Sequence, residues 1–386
     1  MTFDDIIGQE AVKAKLRDAL IRDKVPHALM LYGPRGGGKL PLAVAYAQML
    51  LCEHPREDGS ACGECLSCRM AAKLEHPDLH FTFPIIKPEK EKTENATTDN
   101  FIAEWREQLL SNPYFDINDW LVDMGATTQQ AQYYVAECDY ILNRLMLKSS
   151  QGGRKVMVVW LPEKMKSDTA NRLLKLLEEP PAKTHFIMAC EEPDVVLSTI
   201  LSRTQRVQVP HLSNAEIQAK LERQGVVDDA LNLARLAHGS MTMALRVCRD
   251  QGDEVQFLEY FMMMMRNAYQ VKLDELREWS ETMAQIGREN QKRFLQYAQR
   301  LVRENFVYNF GQPELNYMTT REAEFSTRFA RFVNEQSVIP VMDLLGEAER
   351  DIGRNVNAKM VFFDVAVKMT AIMGQTRTYL ANQKNP

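Results

Sequence analysis

The chain has 386 residues, more than one compact domain usually contains, so we expect two or three domains. A net charge of −5 argues against a protein that coats nucleic acid by itself, although other members of a complex can supply positive surface. The sequence contains no apolar run near the roughly twenty residues that cross a bilayer, and its acidic N-terminus does not resemble a signal peptide. We therefore expect a cytoplasmic protein without a membrane partner.

The first half of the chain alternates apolar runs with segments of helical periodicity. Predicted strands are Ala28–Tyr32, Val156–Leu161, His185–Cys190 and Arg206–Val209. Predicted helices cover residues 9–23, 42–51, about 127–148 and about 167–179. Strands that alternate with helices predict an α/β fold, in which a parallel sheet carries helices on both faces.

The remaining segments differ in composition. Residues 84–120 read as an insertion of unknown role, and its charged run Lys87–Asn95 has no core-forming residue, which predicts an exposed and mobile segment. Beyond residue 212 the strand signal disappears. Residues 213–248 predict a small helical domain and residues 249–386 an all-helical C-terminal domain, after a core of residues 1–212.

A glycine-rich loop follows the first predicted strand. Residues 33–39 match the pattern G-x-x-x-x-G-K, and a helix follows, which is the context of a phosphate-binding loop. Gly33, Gly36 and Gly38 would let backbone N–H groups point at phosphate oxygens, and Lys39 would reach the terminal phosphates. The next residue in nucleotide hydrolases is a Ser or Thr that binds Mg²⁺, but here it is Leu40.

The second predicted strand lacks the acidic residues that hold Mg²⁺ in such hydrolases. It ends in Trp160 and Leu161, and the nearest carboxylate, Glu163, follows a proline and is predicted to be a solvated loop residue. We therefore expect no intrinsic ATP hydrolysis. The alternative is a divergent ATPase that uses Glu163 at an unconventional metal site, and the sequence leaves open whether Lys39 still binds ATP or phosphate.

Four cysteines lie close together after the loop helix. Cys52, Cys62, Cys65 and Cys68 have the spacing C-x9-C-x2-C-x2-C, and four thiolates satisfy tetrahedral Zn²⁺ without an open position. The pattern predicts a structural zinc module at about residues 52–68. A closed four-sulfur site argues against zinc-dependent catalysis.

Taken together, these motifs resemble the clamp-loader branch of the AAA+ ATPases. The segments that carry the resemblance are Ile6–Gln9, Pro26–Ala28, the glycine loop, the cysteine cluster, Ala170–Pro181 with its Leu-Leu-Glu-Glu-Pro-Pro, and Leu201–Arg203. The resemblance covers residues 1–83 and about 125–245, whereas the C-terminal third matches only in being helical. It implies an AAA+ core, a small lid domain and a helical collar that joins subunits in a ring. The resemblance also implies that Ile7 belongs, with Gly33, Gly36, Gly38 and Lys39, to a degenerate nucleotide-binding site.

Within that branch the chain resembles the delta-prime family, whose members have an ATPase fold with degenerate motifs. The gamma and tau subunits match less well because they keep the Thr and the Asp-Glu pair that this chain lacks, and Thr242 stands where an ATPase subunit has a nucleotide-sensing arginine. A divergent, active ATPase of the gamma and tau type is the alternative. The delta-prime resemblance implies a part of the DNA-directed DNA polymerase holoenzyme without ATPase activity of its own.

The same resemblance assigns a role to Ser202 and Arg203. In the family this arginine enters the ATP site of the neighbouring subunit as an arginine finger, where it neutralises charge on the γ-phosphate. Thr204 replaces the family's usual cysteine but leaves the arginine in place. The implied partners are gamma or tau and delta in a hetero-oligomeric ring, with the sliding clamp and primer-template DNA reached through that complex.

Overall fold

The structure is a computed structural model that describes residues 1–88, 95–126, 130–149, 153–226, 229–312, 315–354 and 356–383. The chain divides into two compact units. One consists of Met1–Gly225 with Ala237–Leu245, and the other of Val226–Leu236 with Arg246–Pro386. The separate small domain at residues 213–248 stays a prediction.

The first unit is built on a parallel sheet, and its described residues form five strands. These are β1 (Ala28–Tyr32), β2 (Leu79–Thr82), β3 (Lys155–Trp160), β4 (Thr184–Cys190) and β5 (Gln205–Gln208). Their order is β2-β3-β4-β1-β5, and each neighbouring pair is parallel. The predicted strands are thus found within one or two residues, and the edge strand β2 is an addition that the sequence reading missed.

Helices cover both faces of this sheet. The helices of residues 1–225 are α1 (Glu10–Ile21), α2 (Lys39–Leu51), α3 (Leu66–Ala72), α4 (Ile102–Ser111), α5 (Ile117–Asp123), α6 (Ala136–Met146), α7 (Ser167–Glu178), α8 (Ser198–Leu201) and α9 (Asn214–Arg223). Side chains alternate along β1, so Leu29 and Leu31 enter one hydrophobic core while Ala28 and Met30 enter the other. The predicted parallel sheet with helices on both faces is confirmed.

One predicted helix is shorter than expected. Of the segment at about 127–148, residues 127–129 lie outside the described residues, and the helix α6 begins only at Ala136. Gln132 instead forms an antiparallel bridge with Ile85, so the backbone here is extended. The helical spacing of apolar residues continues upstream of Ala136, so the sequence pattern predicted a longer helix than the structure has.

Most of the described part of the insertion is packed rather than exposed. In the charged run, residues 89–94 lie outside the described residues, Lys87 and Asn95 are exposed as predicted, and Pro88 is buried. The helices α4 and α5 follow, and the indoles of Trp105 and Trp120 on them are fully buried. Trp105 stacks on Phe83 with 4.0 Å between ring centroids, which joins the insertion to the main core.

The C-terminal part of the chain is helical in its described residues. Its helices are α10 (Ala230–Leu236), α11 (Met241–Gln270), α12 (Leu273–Gln285), α13 (Arg288–Tyr308), α14 (Thr320–Phe329), α15 (Val338–Gly353) and α16 (Ala358–Gln383). The second unit has its own core, with Phe261, Trp279, Phe294 and Phe362 at its centre. Within the described ranges, none of the helices has the length and apolar character needed to cross a membrane.

Candidate functional site

The glycine loop begins where β1 ends, at the C-terminal edge of the sheet. The Gly33 N–H donates to the Cys190 carbonyl at the end of β4, 3.2 Å away, which fixes the start of the loop. Gly36 has φ +74°, and a Cβ there would lie 2.0 Å from the Ser240 hydroxyl oxygen. Gly38 has φ +89° and is the residue before α2, so the loop turns directly into that helix. This close approach and these left-handed conformations require glycine.

Lys39 lies at the start of α2, and its ammonium group is buried by the loop. The side-chain Nζ donates a hydrogen bond to the Pro34 carbonyl of the same loop. Burial lowers the pKa of Lys39, while the carboxylates of Glu191 and Glu163 favour its charged form. The lysine that would reach a phosphate is therefore surrounded by acceptors that belong to the chain.

A second loop cation is also paired. The Arg35 guanidinium lies 2.9 Å from the Glu191 carboxylate and 3.3 Å from that of Glu192, both just beyond β4. Glu191 is largely buried, and burial raises its pKa while Lys39 and Arg35 oppose that rise. These carboxylates would repel the phosphates of a nucleotide that approached the loop.

Glu163 corrects one expectation from the sequence, because it is buried rather than solvated. Its Oε1 accepts hydrogen bonds from the backbone N–H groups of Glu191 at 2.8 Å and Glu192 at 3.2 Å. This carboxylate therefore fixes the turn after β4. Leu161, whose φ is +56°, reverses the chain before Pro162 and carries Glu163 to that turn.

Apolar side chains occupy the two positions that hold Mg²⁺ in nucleotide hydrolases. Leu40 is 5% exposed, Trp160 is 3% exposed and Leu161 is 1% exposed, so these positions lie in the core. Mg²⁺ needs oxygen ligands and keeps several water molecules, which a buried leucine and indole cannot accommodate.

The space beside the loop is a cavity of about 20 Å³. Such a volume holds on the order of one water molecule. Thr242 lies at its wall, and so do three consecutive residues of the insertion, Pro113, Tyr114 and Phe115. The Tyr114 hydroxyl accepts a hydrogen bond from the Ile7 N–H at 3.0 Å, and burial raises the pKa of Tyr114 to about 12.

The four predicted metal-ligating cysteines come together. The Sγ atoms of Cys52, Cys62, Cys65 and Cys68 all lie within 4.8 Å of one another. The pair Cys62 and Cys68 is 3.9 Å apart, close to the separation of about 3.8 Å that tetrahedral Zn–S bonds of about 2.3 Å impose. Backbone N–H groups of Cys65 and Glu64 lower the pKa of Cys62 to about 6, which favours a thiolate. The cluster can hold a metal ion.

Arg203 lies at the other edge of the sheet. It follows α8 and precedes β5, whose first residue, Gln205, is in register with Leu29 of β1. Its Nη2 lies 2.7 Å from the Glu178 carboxylate, and its Nη1 donates to the Ser202 hydroxyl at 3.2 Å. The Arg203 side chain keeps 36% of its surface exposed. Because the glycine loop follows the opposite ends of these strands, Arg203 is not part of its own chain's loop site.

Two further site residues escaped the sequence reading. Tyr114 lies 107 positions from Ile7, and no local pattern indicates that the two meet. Glu191 follows a predicted strand, but its pairing with Arg35 depends on the register of β4 beside β1. For Tyr114, the one sequence feature that could have indicated a role is that it forms an aromatic pair with Phe115 directly after a proline, between two helical segments.

A parallel sheet in this order, with a glycine loop between the internal strand β1 and a buried helix, is the P-loop core of the AAA+ fold. The family model for "DNA polymerase III, delta subunit" matches residues 8–213, more than half of the chain. The chain belongs to this family, and the resemblance to clamp-loader proteins of the delta-prime type is confirmed.

Individual relatives are similar over part of their length. A DNA polymerase III subunit delta' from Yersinia pestis is 32% identical over 179 residues, which cover 46% of this chain and 39% of that protein. A DNA polymerase III subunit tau from Bacillus subtilis is 26% identical over 250 residues, which cover 63% of this chain and 36% of that protein. The chain thus spans about two fifths or less of the length of these curated relatives.

A solved structure of a DNA polymerase III gamma subunit-related protein from Thermotoga maritima has 14% sequence identity and a TM-score of 0.40. That likeness covers 93% of this chain and 99% of the other.

Proposed function

We propose that the chain is a non-hydrolysing subunit of a DNA polymerase III clamp loader. The observation that carries the proposal is the burial of Leu40, Trp160 and Leu161 at the positions where a hydrolase of this fold holds Mg²⁺. Phosphoryl transfer depends on positioning and charge neutralisation by such a metal, so its loss removes turnover rather than merely slowing it. Membership of the family supports the assignment to replication.

Within such a complex, Arg203 acts on a neighbour. The arginine lies beyond the reach of its own glycine loop, and its exposed guanidinium already has a fixed orientation through Glu178 and Ser202. Phosphate oxygens accept the same charge-assisted hydrogen bond from a guanidinium as the Glu178 carboxylate does, so exchange between the two is chemically conservative. An arginine finger of this kind contributes on the order of 10³-fold or more to turnover at the site it enters.

The remaining assignments follow from the same proposal. The subunit assembles with gamma or tau and delta subunits in a ring, and reaches the sliding clamp and primer-template DNA through that assembly. Zn²⁺ occupies the site formed by the four cysteines, where it connects the C-terminal end of α2 with the N-terminus of α3. Its role is structural because four sulfur ligands leave no position for a substrate.

The test uses the purified chain and a complex reconstituted with ATPase and delta subunits. We expect the chain alone to show no ATP turnover, and we expect Arg203→Ala to remove the turnover of the adjoining ATP site and to reduce clamp loading. Arg206→Ala is the matched control because Arg206 is an exposed arginine three residues further along the same edge.

Two results would reject the proposal. One is magnesium-dependent turnover by the purified chain, which would favour the divergent ATPase. The other is a complex in which Arg203→Ala and Arg206→Ala behave alike.

A further inference from the structure

The segment that connects α4 to α5 is held rigidly at both ends. The Asn112 side chain accepts a hydrogen bond from the Tyr114 N–H and donates one to the Tyr114 carbonyl, each at 3.1 Å. Pro113 between them restricts the backbone further. Asp116 then caps α5 by accepting hydrogen bonds from the N–H groups of Asn118 at 2.8 Å and Asp119 at 3.1 Å. Tyr114 is therefore presented by a preorganised turn.

This turn directs two aromatic rings toward the glycine loop. Tyr114 and Phe115 are each only 6% exposed. The Phe115 ring packs on Trp160 with 5.1 Å between centroids, at the end of the strand that would carry metal ligands in a hydrolase. A Cβ built on Gly38 would lie 3.4 Å from the edge of the Tyr114 ring, so the ring is in van der Waals reach of the loop.

The Tyr114 hydroxyl also occupies a polar position of the pocket. It accepts the backbone N–H of Ile7, a buried donor that needs a partner inside the protein. The ring therefore spans from the glycine loop at Gly38 to the Ile7 backbone. What remains beside it is the cavity of about 20 Å³.

We propose that Tyr114 is a built-in occupant of the nucleotide pocket, and that residues 112–116, here called the plug, close that pocket to nucleotide. The plug supplies an acceptor for Ile7 and fills the volume beside the loop with aromatic carbon. This proposal concerns nucleotide binding. It goes beyond the proposed function, which concerns ATP hydrolysis and the role of Arg203. A chain that binds nucleotide without turnover would overturn the plug and leave the proposed function standing.

The test measures binding of a fluorescent ADP analogue, with a methylanthraniloyl group on the ribose, to the full chain and two variants. Tyr114→Ala removes the ring, and we expect it to bind the analogue at least tenfold more tightly than the unaltered chain. Tyr114→Phe keeps the ring and lacks only the hydroxyl, so we expect it to stay closed. Adding Lys39→Ala to Tyr114→Ala should abolish the gain, which shows that the analogue enters at the glycine loop.

Hydrogen exchange provides a second measurement that does not depend on nucleotide. We expect the Ile7 amide to exchange about five-fold faster in Tyr114→Phe than in the unaltered chain, because one hydrogen bond to it is lost. Leu110→Ala, at an exposed site on α4, is the control and should leave that exchange unchanged.

The proposal is overturned if the unaltered chain and Tyr114→Ala bind the analogue equally, whether strongly or not at all. It is also overturned if the Ile7 amide exchanges at the same rate with and without the Tyr114 hydroxyl. Should Tyr114→Ala fail to fold, the exchange measurement on Tyr114→Phe decides.

Discussion

Replacing Glu137 by Gln should change how the stability of the first unit depends on pH. Glu137 lies in the first turn of α6 and is 2% exposed. Its Oε1 accepts from the Thr82 hydroxyl at 2.6 Å and the Thr98 hydroxyl at 2.7 Å, and its Oε2 accepts from the Thr98 N–H at 2.8 Å. These bonds join β2 to the beginning of the insertion. Burial nevertheless raises the pKa of Glu137 from 4.5 to about 7.

The size of the expected change in the free energy of unfolding follows from this pKa shift. Between pH 4.5 and about 7 the folded chain keeps a proton that the unfolded chain releases, so the free energy of unfolding falls as the pH rises through this window. At about 1.4 kcal/mol per pH unit, the full effect of Glu137 is about 3 kcal/mol. Between pH 5 and pH 8 it is about 2 to 3 kcal/mol. Gln cannot ionise, so its contribution does not change with pH.

Urea unfolding of the unaltered chain and Glu137→Gln at several pH values between 5 and 8 measures the difference directly. We expect that difference to move by about 2 to 3 kcal/mol in favour of the variant as the pH rises. Glu104→Gln, at an exposed site on α4, controls for the loss of one carboxylate. A difference that stays constant would refute the reasoning. A shift in the opposite direction would mean that the three donors outweigh burial and stabilise the ionised form.

Three other outcomes are expected. Cys62→Ser, or treatment with a strong chelator, should release about one zinc ion per chain by metal analysis and lower Tm, because metal binding stabilises the folded state; unchanged metal content would contradict the site. Trp105→Ala should lower the free energy of unfolding in urea by about 3 to 5 kcal/mol, whereas Leu110→Ala on the same helix should change it by less than about 1 kcal/mol. Leu40→Thr should give no ATP turnover in a phosphate-release assay, because Trp160 still supplies no carboxylate; measurable turnover would contradict this.

The sequence predicted the central sheet because its strands are short apolar runs flanked by turn residues. β1 and β3 are buried on both faces, which gives continuous apolar stretches that are recognisable without any contact information. β2 was missed because Leu79–Thr82 has only four residues and includes His80. Its strand character depends on pairing with β3, which a single-sequence pattern does not reveal.

The candidate site was predictable only where chemistry is encoded locally. The glycine loop and the cysteine spacing each lie within a short stretch, and backbone geometry brings their residues together. Glu163 was predicted to be a solvated loop residue because it lies past a proline, beyond the strand end where a metal-binding carboxylate would stand. The left-handed Leu161 instead carries it to the turn after β4. Tyr114 reaches Ile7 only through the packing of a whole helical insertion, so its role is a property of the fold.

The donors of the glycine loop and its surroundings are bonded to acceptors of the chain itself, in place of phosphate oxygens. The Lys39 ammonium donates a hydrogen bond to the Pro34 carbonyl, and the Arg35 guanidinium forms ion pairs with the carboxylates beyond β4. The Ile7 N–H donates a hydrogen bond to the Tyr114 hydroxyl. Ile7 and Lys39 are buried, where a donor without a partner costs stability, so these two contacts stabilise the loop region. Because these acceptors belong to the chain itself, the glycine-loop motif alone does not establish nucleotide binding here.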